Sequence, residues 1–219
     1  MNGAPQRGGA SAGPQRAVAN TAWWRRPGRA WLALAAVLAI GSALAWRSPH
    51  AALDWQPVLA LAEPWRAFSA AFVHYSVLHL VGNAAGLALT AAYGWAARVP
   101  PRIALAWLAA WPLTQIGLLV QPALVHYGGV SGVVHAGVAI VTLYVIAIGH
   151  RWIGGTVLVM LLVKLATESP FGAPLRQVAG WDIALAPLAH ATGVAAGALC
   201  FACAEAGARI ARDDSGGTR

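Results

Sequence analysis

Charge is what this chain lacks most. Charged residues make up only 10% of its 219 residues, and Asp and Glu together number 7. A soluble domain of this length needs a solvated polar surface, so the shortage excludes one. Cysteine is nearly absent as well. Cys200 and Cys203 lie three apart within an apolar segment, which rules against a disulfide framework and leaves them as packing residues. The length leaves no room for a second large domain. What fills the chain instead is apolar: 58% hydrophobic residues, 11 tryptophans and a positive mean hydropathy. That is the composition of a protein whose main partner is the lipid bilayer. The formal charge of +8 comes from Arg residues in short connections and tails. These are topology signals, not a nucleic-acid-binding face.

Taken in order, residues 1–28 are rich in Gly, Pro, Ala, Gln and Arg and read as a disordered basic tail. Six apolar stretches follow, and residues 29–206 form one all-α membrane bundle. The first, Ala30 to Trp46, has 17 residues, close to the lower limit for a span. Arg25-Arg26 before it and Ala43-Leu44-Ala45 near its end also fit a cleavable secretory signal. From Arg47 to Ser76, charges and prolines forbid a span while aromatic residues are dense, which predicts a structure lying at the headgroup level. The later spans are Val77 to Ala97, Ile103 to Val125, Val130 to Gly149, Trp152 to Ala166 and Ile183 to Ala204. The fifth is short, and Lys164 near its end is expected to snorkel. Residues 207–219 read as a short polar tail.

Orientation follows from the basic residues. With both termini cytoplasmic, Arg7, Arg16, Arg25, Arg26, Arg29, Arg98, Arg102, Arg151, Arg209, Arg212 and Arg219 fall inside. Arg47, Arg66, Arg176 and Lys164 fall outside. That bias fits an integral membrane protein with both termini in the cytoplasm. It also sets His79 and Asn83 of the second span, Ser131 at the start of the fourth and His190 of the sixth at one depth, near the outer surface.

Polar groups inside a membrane helix need a reason. Ser131 lies in Gly128-Gly129-Val130-Ser131-Gly132 at the opening of an apolar run. Serine there is a common helix cap, but the company it keeps favours a nucleophile. A serine hydroxyl attacks an amide carbonyl only when a base takes its proton, and neutral histidine does that. His190, Gly193 and Gly197 share one helical face. The glycines have the small-xxx-small spacing, matched by Gly132 and Ala136, that lets membrane helices meet. The oxyanion formed by the attack needs donors. The N–H groups at the helix start, that of Ser131 included, together with Asn83 and His79, can supply them. Glu168 and Asp182 lie in the last outer loop and could in principle orient His190, but nothing in the spacing requires it, and a Ser131–His190 dyad is expected. The chemistry needs neither metal nor cofactor.

Four ordered motifs carry a resemblance. These are Glu63-Pro64-Trp65-Arg66, the stretch His74 to Asn83, Gly129-Val130-Ser131-Gly132, and His190 to Gly197. They resemble the motifs of the rhomboid family of intramembrane serine proteases over about residues 30–206. The resemblance implies a Ser131–His190 dyad, an oxyanion stabilised by His79 and Asn83, and the sixth helix packed on the fourth through glycine. One position departs from the commonest pattern: His135 stands where an aromatic Tyr is usual. Gly129 to His135 is similar to the motif of the rhombosortase branch, bacterial rhomboids associated with cleaving proteins that end in a Gly-Gly, apolar-helix, basic-tail signal. Ser131 and His135 are i, i+4 on one helix, so His135 is an alternative base or a packing residue. The substrates implied are membrane-anchored proteins. The alternatives are a rhomboid protease acting on other transmembrane substrates, a non-catalytic rhomboid-like binding protein and, least favoured, a small transporter.

Overall fold

The computed structural model describes residues 23–216, and it is all-helical: among them there is no β-strand. Six helices are long: α1 (Arg29–Ala45), α4 (Val77–Ala96), α5 (Pro101–Ile116), α6 (Ser131–Ala147), α7 (Arg151–Glu168) and α8 (Pro187–Gly216). Two short ones, α2 (His50–Leu53) and α3 (Arg66–Ser69), lie between α1 and α4. Among the described residues three segments are long and apolar enough to cross a membrane: Val77–Ala96, Pro101–Val120 and Pro187–Asp214. Helices α1 and α6 are apolar but shorter. The protein is thus an integral membrane protein.

Both ends depart from the expected boundaries. Most of the tail expected over residues 1–28 lies outside the described residues. Its last part, however, forms a 3-10 turn at Trp23–Arg25, and Gly28 docks on the end of α4. The Gly28 N–H donates to the Val99 carbonyl at 2.8 Å, and a side chain at Gly28 would collide with the Trp95 ring. At the other end the helix does not stop at Ala204. It runs to Gly216, and only 217–219 of the expected polar tail lie outside the described residues. Arg102 reaches Glu205 at 2.8 Å, tying that extension to α5.

The core joins α1, α4, α5, α6 and α8. Trp31 and Trp107 stack at its centre with ring centroids 4.1 Å apart, and their indole N–H groups donate to the Thr90 and Val133 carbonyls. This satisfies two donors that the bilayer would otherwise leave unpaired. Helices α6 and α8 pack closest. A carbon added at Gly193 would lie 2.0 Å from the Gly132 carbonyl oxygen, and one added at Gly197 would lie 2.5 Å from that of Ala136. Only glycine allows such backbone approach. Helix α7 is peripheral: Gly154 and Leu161 are its only buried residues.

The segment between α1 and α4 is a braced platform. Arg66 is 5% exposed, and its guanidinium donates to Glu63 at 2.5 Å and to the Asp54 and Ala51 carbonyls at 2.8 and 3.0 Å. Asp54, also buried, accepts from Gln56 and Tyr75 and contacts His126 Nδ1 at 2.8 Å. A two-way backbone bridge between Trp55 and Tyr127 then ties this platform to the loop leading into Ser131.

Candidate active site

Ser131 is the first residue of α6. The N-cap is Val130, and no side chain caps the helix. The serine hydroxyl is therefore not spent as a cap. Its Oγ lies 3.2 Å from His190 Nε2 and 3.5 Å from the Tyr127 hydroxyl, which donates to the Gly129 carbonyl at 3.2 Å. His190 sits on the first turn of α8, and Gly193 one turn later lets it come this close. The sequence motifs thus converge, although Ser131 and His190 are 59 residues apart.

Geometry also fixes the tautomer of His79. Its Nδ1 accepts from the Tyr75 N–H at 3.3 Å, so Nε2 carries the proton and is a donor. A carbon added at Gly129 would lie 2.8 Å from that Nε2 and 3.4 Å from Asn83 Nδ2. Gly129 has φ +129°, a backbone state open to glycine. Two side-chain donors therefore face the backbone just ahead of the serine. Asn83 Nδ2 is buried and has no partner, which is unusual for an amide unless something else arrives to take its proton. Ser76 caps α4 by accepting from the His79 N–H at 3.0 Å, setting the helix start that aims His79.

His135 stacks on His190, with ring centroids 4.1 Å apart and planes 15° apart. Its Nδ1 contacts the Ser131 carbonyl oxygen at 2.7 Å, and since a carbonyl only accepts, Nδ1 is the donor. With its ring against the face of His190, His135 supports the imidazole that meets Ser131.

Three groups matter more here than the sequence reading made them. Tyr127 is one. Burial pushes its phenol above the ordinary value, so it stays a neutral donor near Ser131. The others are Glu168 and Lys164, at the end of α7. Glu168 Oε2 lies 2.7 Å from His190 Nδ1, and Lys164 pairs with the same carboxylate. Lys164 therefore does not simply snorkel, and of the two acids weighed for His190 it is Glu168 that reaches the ring. Burial alone would raise the Glu168 carboxyl, but His190 and Lys164 hold it down at about 2, well below the usual carboxylate range. Asp182, the other acid of that loop, accepts from the Ser76 hydroxyl at 2.7 Å instead. The one signal available was that Glu168 follows Lys164, the chain's sole lysine, at i+4 and stands at the negative end of a helix.

A cavity of about 500 Å³ opens over these groups, lined by His79, Asn83, Ser131, His135, Glu168 and Trp181, among others. A wider depression of about 930 Å³ beside Arg151 and Met160 holds no histidine and lies on the outer flank of α7. Among the described residues no group of three His, Cys, Asp or Glu is arranged to hold a metal ion. A serine in hydrogen-bond range of a histidine, beside unpartnered donors and under a cavity, is the arrangement acyl transfer requires. No curated protein matches the chain. The Rhomboid domain family model matches residues 61–204, well over half of it and including every group just described. The chain therefore belongs to the rhomboid family, whose members are generally intramembrane serine proteases.

Proposed function

We propose that the protein is an intramembrane serine endopeptidase of six spans, with both termini cytoplasmic and its site opening on the outer side of a bacterial inner membrane. The observation that carries this reading is the 3.2 Å contact of Ser131 Oγ with His190 Nε2 beside the unpartnered Asn83 amide. His190 takes the hydroxyl proton as Oγ bonds to the scissile carbonyl carbon. The oxyanion accepts from Asn83 Nδ2, His79 Nε2 and the first N–H groups of α6. The C–N bond then breaks, the amine leaves with the proton from Nε2, and water hydrolyses the acyl-enzyme by the same route. His135, stacked on His190 in place of the commoner Tyr, supports the rhombosortase branch. Its substrates carry a C-terminal Gly-Gly, an apolar helix and a basic tail.

The test uses two probes on the protein in membranes. A fluorophosphonate should label it, and Ser131→Ala should not be labelled. A reporter ending in Gly-Gly, an apolar helix and an Arg-rich tail should be cut, while the same reporter with Gly-Gly replaced by Val-Val should survive. Cutting of both reporters would point to a general rhomboid protease, and absence of Ser131-dependent labelling to a non-catalytic binding protein. Asn83→Ala should reduce the rate of reporter cleavage roughly 10²–10³-fold, the usual loss on removing one oxyanion donor. A rate within twofold of the parent would take Asn83 out of the site.

A further inference from the structure

We infer that Glu168 is a positioning residue for His190, so that the site works as a Ser131–His190–Glu168 relay of hydrogen bonds and not as a two-residue dyad. This rests on the endopeptidase reading above. An ionised carboxylate only accepts, so the 2.7 Å contact requires the proton of the neutral imidazole to sit on Nδ1. That leaves the lone pair on Nε2, the atom that faces Ser131 Oγ at 3.2 Å. The alternative tautomer would present a proton to the serine and make His190 useless as a base.

Glu168 occupies a costly place. It is the last residue of α7, where the helix dipole disfavours negative charge, and Ser169 after it is left-handed at φ 52°. The end of the helix is held by the Thr167 hydroxyl, which donates to the Lys164 carbonyl at 2.8 Å, and by Arg176, which donates to the Thr167 carbonyl at 2.9 Å. Lys164 comes within 3.4 Å of Nδ1, but ammonium is only a donor, and its bond goes to the carboxylate. The groups facing His190 are thus Ser131 and His135 from α6 and Lys164 and Glu168 from α7. When Ser131 gives its proton to Nε2, the imidazolium keeps Nδ1–H pointed at Glu168. The carboxylate stabilises that cation without taking a proton itself.

The experiment measures the rate of fluorophosphonate labelling and of Gly-Gly reporter cleavage across pH, with folding followed by thermal unfolding in detergent. Glu168→Gln, nearly isosteric, should slow both reactions roughly 10²–10⁴-fold with little change in the reporter KM. It should also move the acidic limb of the pH profile to lower pH. Glu168→Asp should recover part of the rate, because it restores the charge. Asp214→Asn, which removes an exposed acid near the far end of α8, should leave rate and profile as in the parent. The role of Glu168 is overturned if Glu168→Gln keeps the parent's rate and pH profile. It is equally overturned if the Gln and Asp variants lose rate and melting temperature alike. Labelling that survives in Ser131→Ala would instead overturn the endopeptidase reading itself.

Discussion

Ser131→Ala and His190→Ala are each expected to lower reporter cleavage by roughly 10⁴-fold or more while leaving the protein folded in the membrane. Residues of one proton-transfer unit do not contribute additively, so the double variant should be no slower than either single one. Alanine fits at position 131 without strain, because the serine is a helical residue and its hydroxyl caps nothing. At position 190, loss of the ring also leaves His135 without its stacking partner. His190→Ala should for that reason lose some melting temperature and Ser131→Ala almost none. A His135→Ala variant separates the two histidines. It should still label with fluorophosphonate, whereas labelling lost in His135→Ala but retained in His190→Ala would make His135 the base.

Gly193→Ala is expected to be the most damaging added methyl among the described glycines. The new carbon would sit 2.0 Å from the Gly132 carbonyl oxygen, which the α6 backbone holds and no rotamer change can move. The helices would have to part by about 1 Å, a packing change at the upper end of the usual cost, about 3 kcal/mol. Because His190 lies one turn away on α8 and Ser131 beside Gly132 on α6, the same movement opens their 3.2 Å contact. A misplacement of that size costs roughly 10²-fold in rate. Thermal unfolding and fluorophosphonate labelling, run together, check both effects. Gly197→Ala, 2.5 Å from the Ala136 oxygen, should be milder, and Gly207→Ala, with nothing within 4 Å, should be silent. An unchanged melting temperature in Gly193→Ala would mean that α6 and α8 are not in backbone contact.

The parts of this site that sequence discloses are those set by helical period. Gly132 with Ala136, and His190 with Gly193 and Gly197, keep their meaning because i, i+3, i+4 and i+7 share a face wherever the helix goes. His79 and Asn83 are read the same way. The long helices are legible because each is a run of apolar residues. Their ends are less so, since α8 continues through a polar sequence to Gly216, held by the Arg102–Glu205 pair between residues 103 apart. What period cannot show is a contact made by a loop or a helix end. Glu168 meets His190 across 22 residues, through a turn containing Pro170, Gly172 and Pro174, and no spacing rule links the two. Tyr127 is likewise brought to Ser131 by its bridge to Trp55, and the burial of Arg66 depends on carbonyls 12 and 15 residues back.

The braced platform divides the molecule into a stiff part and a compliant one. Asp54, Arg66, Tyr75, His126 and the Trp55–Tyr127 bridge cross-link the outer loops by polar bonds, which do not depend on how thick the surrounding lipid is. Ser131, His79 and Asn83 hang from that frame. Helix α7 buries only Gly154 and Leu161, and it carries Glu168 at its tip. The nucleophile and its oxyanion donors are thus held by one set of bonds, and the carboxylate that meets His190 comes from a helix outside that set.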